Sequence, residues 1–156
     1  MIMGQLVLPP EGTLLVINPL SGIDAPQLTP YSARNLTQTY SVIGVNEWIK
    51  RDVNGTLRSV ADIRFRKYKS TITCSDGQTP CLDNGWLGTQ CEVSCAFEFS
   101  HPIGAFPARP SVSGSERIDS GFVFYRPILL MIVQDIKNSF QEWSALNNWQ
   151  VELEEV

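Results

Sequence analysis

From Cys91 to Phe99 the chain alternates without a break. Cys91, Val93, Cys95, Phe97 and Phe99 fall on one side, and Glu92, Ser94, Ala96 and Glu98 on the other. A period of two with one apolar and one polar side is the pattern of a strand half buried in a sheet. Wound at helical spacing, the same residues would scatter around the cylinder. This stretch therefore commits the chain to a sheet, and the second half of a strand pair spanning about 62–100 precedes it.

That preceding half is less regular. Ile63 and Phe65 share a face, but by Tyr68, Ile72 and Cys74 the apolar phase has moved to even positions. A change of phase within a strand predicts a bulge or a bend. Between the two lies Ser75 to Gln90, rich in Gly, Asp, Asn and Pro, which reads as a long loop.

All four cysteines, Cys74, Cys81, Cys91 and Cys95, sit in or beside this loop with the spacing C-x6-C-x9-C-x3-C. Three arrangements suit them. A nested pair of disulfides, Cys74 with Cys95 and Cys81 with Cys91, closes the loop at its base and again inside, and is the favoured pattern. A four-thiolate zinc site is the second, although the paired C-x2-C knuckles of such sites are missing. Buried free thiols are the third, since cysteine is among the most buried residue types.

The remaining chain continues the β pattern. Short apolar runs at Gln5 to Leu8 and Thr13 to Ile17 are punctuated by prolines, so residues 1–34 read as an extended arm and 35–156 as the β domain. Asn35 to Ile43 and Glu47 to Val53 read as strands. Asn54-Gly55 then gives a strong local hairpin signal. His101 to Ser120 reads as a Pro, Gly and Ser linker, and Phe122 to Tyr125 as a strand. Ile128 to Val133 is apolar on both sides, predicting a strand covered on both faces. Ile136, Phe140 and Trp143 have helical spacing, which leaves room for one short helix near 135–146. The alternation Trp149, Val151, Leu153 favours a hairpin instead. The fold expected is all-β, a sandwich or barrel of roughly seven to ten antiparallel strands with at most one short helix.

Motifs for chemistry are sparse. His101 is the sole histidine and precedes Pro102, so a multi-histidine metal site is excluded. Its pairing with a thiol would require Cys95 to be held against it, although the strand carries the two apart. Asp76 and Asp83 suit turn formation better than cation binding. No nucleophile elbow, phosphate-binding loop or zincin motif occurs. The expectation is a protein that is not an enzyme and needs no cofactor or metal.

Charge points to partners. Arg58, Arg64, Arg66, Lys67 and Lys69 form the one basic cluster, and Glu152, Glu154 and Glu155 an acidic C-terminal edge. Opposite charges at matching positions register copies of a chain against each other. Arg64, Arg66, Lys67, Lys69, Trp86, Glu152, Glu154 and Glu155 are therefore the candidate subunit contacts. A solvated strand face is the plain alternative for the basic cluster. The net charge of −4 weighs against direct nucleic-acid binding, and no run reaches membrane-spanning length. The start of the chain has no basic region and too short an apolar run for a secretion signal.

Several short words resemble small structural proteins of tailed bacteriophages. They are Asp52-Val-Asn-Gly-Thr-Leu, Phe65-Arg-Lys-Tyr-Lys-Ser-Thr-Ile-Thr-Cys, Asp83-Asn-Gly-Trp-Leu-Gly, Phe124-Tyr-Arg-Pro, Glu142-Trp and Trp149-Gln-Val-Glu-Leu-Glu-Glu-Val. The resemblance covers roughly residues 50–156. It implies a virion component made in the host cytoplasm, whose partners are copies of itself and other virion proteins, forming a ring or tube in the tail or neck. Capsid decoration is the neighbouring role. A carbohydrate- or receptor-binding module, with Trp86, Trp48 and Tyr68 as its aromatic platform, is the alternative of a different class.

Overall fold

The computed structural model describes residues 15–20, 36–44, 48–75 and 86–156. Readings that rest on Gln5 to Leu8, Asn35, Asp76, Cys81 and Asp83 lie outside them. The described chain is all-β. Eleven strands are joined by loops, and the only helical element is one 3-10 turn.

Six strands form the main antiparallel sheet: β1 (Val16–Pro19), β2 (Thr37–Val42), β5 (Tyr68–Cys74), β6 (Gln90–Ser94), β10 (Ile128–Gln141) and β11 (Leu146–Glu155). Their order is β1-β6-β10-β11-β5-β2. A hairpin, β3 (Ile49–Arg51) with β4 (Leu57–Ser59), stands apart, and β7 (Phe99–Pro102), β9 (Phe122–Tyr125) and β8 (Arg117–Asp119) make a small third sheet. Only β10 and β11 are sequence neighbours within the main sheet. Its other pairings join residues far apart in the chain.

The alternation seen in the sequence builds the core. Cys91, Val93 and Cys95 are fully buried, as are Leu129, Met131 and Val133 of β10. Ile72 and Cys74 of β5 and Trp149, Val151 and Leu153 of β11 complete the same face, with Leu15 and Ile17 beside them. Val93 lies opposite Leu129 on one side and Ile17 on the other, so a residue buried on β6 meets buried residues on both neighbours. Each such side chain contributes about 1.5–3 kcal/mol of transfer free energy.

The sheet curls, so that its β2 edge meets the segment following β6. Gln38 of β2 donates from Nε2 to the Ser70 hydroxyl at 3.1 Å and accepts the Ala96 N–H at 2.8 Å. Beside it, Tyr40 stacks on Phe97 with ring centroids 4.3 Å apart and meets Tyr68 and Phe99 edge-on. A second clasp ties the long loop after β7 to the sheet end. Glu155 receives Arg109 through both guanidinium nitrogens Nε and Nη2 and also accepts the Tyr68 N–H at 3.0 Å. The Arg109 guanidinium also donates to the Arg66 carbonyl at 2.9 Å.

Several local expectations are corrected. The phase change before Tyr68 is a 3-10 turn, Ile63–Phe65, outside any strand. Asp62 caps it by accepting the Arg64 N–H at 2.9 Å. The strict alternation runs in one strand only to Ser94; the chain bends at Cys95 to Glu98, and Phe99 opens a strand of another sheet. The linker 101–120 contains the end of β7 and all of β8. The hairpin favoured over a helix at 135–146 is present: β10 continues to Gln141, through a register shift between Val133 and Asp135, and returns as β11. The outer face of 128–133 is not fully covered, because Leu130 is exposed. The Asn54-Gly55 hairpin is present, with Gly55 at φ 79°, a left-handed geometry suited to glycine.

Candidate self-association surface

Two hairpins carry apolar side chains out into solvent. The first is β3–β4. Asp52 organises its turn, accepting the Asn54 and Thr56 N–H groups at 3.0 Å each and pairing with Arg58 at 3.0 Å. Neither strand approaches any other described strand. Every residue of both strands is exposed, including Ile49 and Leu57, and Val53 at the turn is as open as in an extended chain, at 102%. A lone two-stranded hairpin is marginal in water, so side chains of this kind are at odds with a free surface.

The second is the far end of β10–β11. β6 pairs with β10 only from Ile128 to Ile132, and β5 pairs with β11 only from Trp149 to Glu154. The ladder from Lys137↔Gln150 to Gln141↔Leu146 therefore has no main-sheet strand beyond β10 along one edge, and its end projects past both neighbours. Phe140 is exposed, and Trp143 in the turn is at 101%. Ala145 takes a left-handed φ of 51° to close that turn.

At the opposite end of the same strands lies a cavity of about 340 Å³ lined by Tyr40, Tyr68, Phe99, His101, Phe106 and Tyr125, with Glu98 at its edge. The rings make a connected cluster: Tyr68 to Phe99 at 5.2 Å, Phe99 to Tyr125 at 6.2 Å and His101 to Tyr125 at 5.8 Å. His101 Nδ1 donates to the Pro102 carbonyl at 3.0 Å. Glu98 is held by Arg117 at 2.8 Å, and this hydrogen bond keeps its carboxyl below the ordinary range.

The residues expected at subunit contacts divide into two groups. Arg64 pairs with its own cap, Asp62, at 2.7 Å; the bond lowers the Asp62 carboxyl and raises the guanidinium. Lys69 pairs across strands with Glu152 at 3.2 Å. Glu155, its side chain only 7% exposed, is the inner half of the Arg109 clasp. These four serve the fold at home. Arg66, Lys67, Glu154 and Trp86 have no side-chain hydrogen bond or ion pair among the described residues, and Trp86 is 76% exposed. Sequence reasoning missed Val53 and Trp143, for which a bulky apolar residue beside turn formers was the available signal.

The cysteine expectation is corrected as well. Cys91 and Cys95 hold free thiols, so neither nested bridge is formed. Two strands, β10 and β11, separate β6 from β5 in the sheet order. Burial pushes the Cys91 thiol up to about 11. Cys95 is pushed to about 12, chiefly by burial, with a hydrogen bond to Gln38 opposing the shift. Cys74 is buried at the end of β5. Any pairing through Cys81 lies outside the described residues, as does any four-thiolate site.

Among the described residues, no three of His, Cys, Asp and Glu are placed to hold a metal ion. The aromatic platform is not assembled: neither Trp86 nor Trp48 has a ring contact there, and Tyr68 packs instead on Tyr40 and Phe99. Among the described residues, no helix is long and apolar enough to cross a membrane. Comparison with protein-family models, curated proteins and solved structures finds no match for the chain.

Proposed function

We propose that this chain is a structural subunit that acts by binding copies of itself. The observation that supports this most is the β3–β4 hairpin. Its strands touch no other described strand, yet it carries Ile49, Val53 and Leu57 exposed. A partner surface that covers them removes apolar area from water at about 25 cal/mol per Å². Together with the phage-like words in residues 50–156, this favours a ring- or tube-forming component of a phage tail or neck, with capsid decoration as the related placement. Other virion proteins would be its further neighbours.

The test is the mass of the full chain by light scattering after size exclusion, across low to high micromolar concentrations. A discrete oligomer is expected, weakened in the V53D/L57D double variant with the fold intact by circular dichroism. A wild-type chain that stays monomeric throughout overturns the proposal.

A further inference from the structure

We infer that successive copies join head to tail, the Trp143 ring at the β10–β11 tip of one copy entering the aromatic cavity of the next. This rests on the self-association reading and names the contact. Three observations carry it.

The first is placement. The cavity borders Tyr68, whose N–H is held by Glu155, and Glu155 lies opposite Met131 near the start of β10. Trp143 sits beyond Gln141↔Leu146, ten ladder residues further along β10. At about 3.3 Å per residue the two features are on the order of 30 Å apart, so the ring cannot reach its own cavity. A knob at one end of the main sheet and a hole at the other make a heterologous contact, which closes into rings or runs on as a tube.

The second is fit. A cavity of about 340 Å³ bordered by Tyr40, Tyr68, Phe99, His101, Phe106 and Tyr125, with polar as well as ring atoms facing its space, has room for a single indole. The indole N–H needs an acceptor when buried, and Tyr40, Tyr68, Tyr125 and Glu98, all among the residues bordering the space, carry oxygens able to accept. A second cavity, of about 370 Å³ and bordered by Thr37, Thr73, Cys74, Asn138, Asn148 and Trp149, lies against β10 and β11 only a few residues from the Trp143 turn, at the knob's own end of the strands.

The third is charge. Glu142, beside Trp143, is the only charged residue from 140 to 148. Arg66 and Lys67 directly precede the cavity residue Tyr68, and their side chains make no ion pair among the described residues. An entering tip thus brings one carboxylate to two uncommitted cations.

The test uses two lesions and their mixture. W143A removes the knob; H101W fills the hole, with R66E as a second hole lesion that leaves the cavity walls in place. Each variant alone is expected to associate at least about 30-fold more weakly than wild type, the loss typical of a central interface tryptophan. Mixed in equal amounts, W143A and H101W (or R66E) should form one-to-one dimers, because one supplies an intact hole and the other an intact knob. Wild-type oligomers that W143A leaves unchanged would overturn this contact while leaving self-association standing. Variants that fail alone and also fail mixed would point to a two-fold contact and overturn the head-to-tail arrangement. A monomeric wild type would overturn both readings.

Discussion

Replacing Gln38 by alanine tests how the main sheet closes on itself. The Gln38 amide is the polar link between the β2 edge and the turn after β6, bonding Ser70 at 3.1 Å and Ala96 at 2.8 Å. Ser70 is fully buried, so Q38A leaves its hydroxyl with no partner and strips the Ala96 N–H of its acceptor. A fully buried polar group left unpaired costs about 1–3 kcal/mol and the half-buried Ala96 N–H sits at the low end of that range, about 1, so the pair should cost about 2–4 kcal/mol. For a chain of this size that is a fall of about 4–16 °C in Tm. Urea unfolding measures the loss, and hydrogen exchange at the Ala96 amide reports its site. Adding S70A to Q38A should cost little more, because the hydroxyl is already orphaned; the resulting coupling falls in the range of about 0.5–3 kcal/mol seen for contacting pairs. A loss below about 0.5 kcal/mol with unchanged exchange at Ala96 would refute the claim that Gln38 closes the sheet, since contacting pairs rarely couple so weakly.

Other expectations concern the core, the thiols and one exposed ion pair. Leu153→Ala, at a fully buried site, should cost about 2–5 kcal/mol by urea unfolding, while W143A should leave monomer stability within about 0.5 kcal/mol. Cys91 and Cys95 should resist alkylation at pH 8 in the native state and react on unfolding; rapid native labelling, read by peptide mass spectrometry, would contradict their burial. Their raised thiol pKa values place more protons on the folded state, so their contribution is complete below the ordinary value of 9.0 and is lost as pH rises towards about 11 and 12. Comparing stability against pH for wild type and C95A measures it: the difference between the two should hold below pH 9 and shrink as pH rises from 9.0 towards about 12. The Glu98 carboxyl is lowered by Arg117, so its contribution is present above the ordinary carboxylate value and disappears as pH falls through the folded one. Wild type and E98Q should therefore converge in stability in acid, and a gap that persists at pH 2 would refute the assignment.

How much of this was legible in the sequence depends on the range of the interaction. Cys91, Val93 and Cys95 alternate because each is fully buried on the inner face, and burial of one face writes a period of two. Trp149, Val151 and Leu153 do the same, and Asn54-Gly55 marks a turn because its geometry is local. β8 left no such mark: Arg117, Ile118 and Asp119 are all exposed, so nothing forced a pattern on them. The strand order was equally silent, because every pairing in the main sheet except β10 with β11 joins distant segments. The basic cluster misled for a related reason. Lys69 looks free in sequence, but the fold brings Glu152 to within 3.2 Å of it. Phe140 and Trp143 had helical spacing only because the turn at the hairpin tip happens to space them so.

The cysteines show why burial and cross-linking are hard to separate from spacing alone. A strand places residues four apart on the same face, so Cys91 and Cys95 both turn inward for the reason Val93 does. From Cys91 along β6 to Cys95, the residue just past its end, the extended chain spans about 13 Å, well past the ~7 Å limit between bridged Cα atoms, and the two thiols are not bonded to each other. An apolar residue repeated on the inner face of a strand and a half-cystine at the base of a loop leave the same letters in the same places. What distinguishes them is the partner across the sheet. For Cys91 those partners are Pro19 and Met131, neither of which can form a disulfide. The Cys91 and Cys95 thiols are then small core side chains.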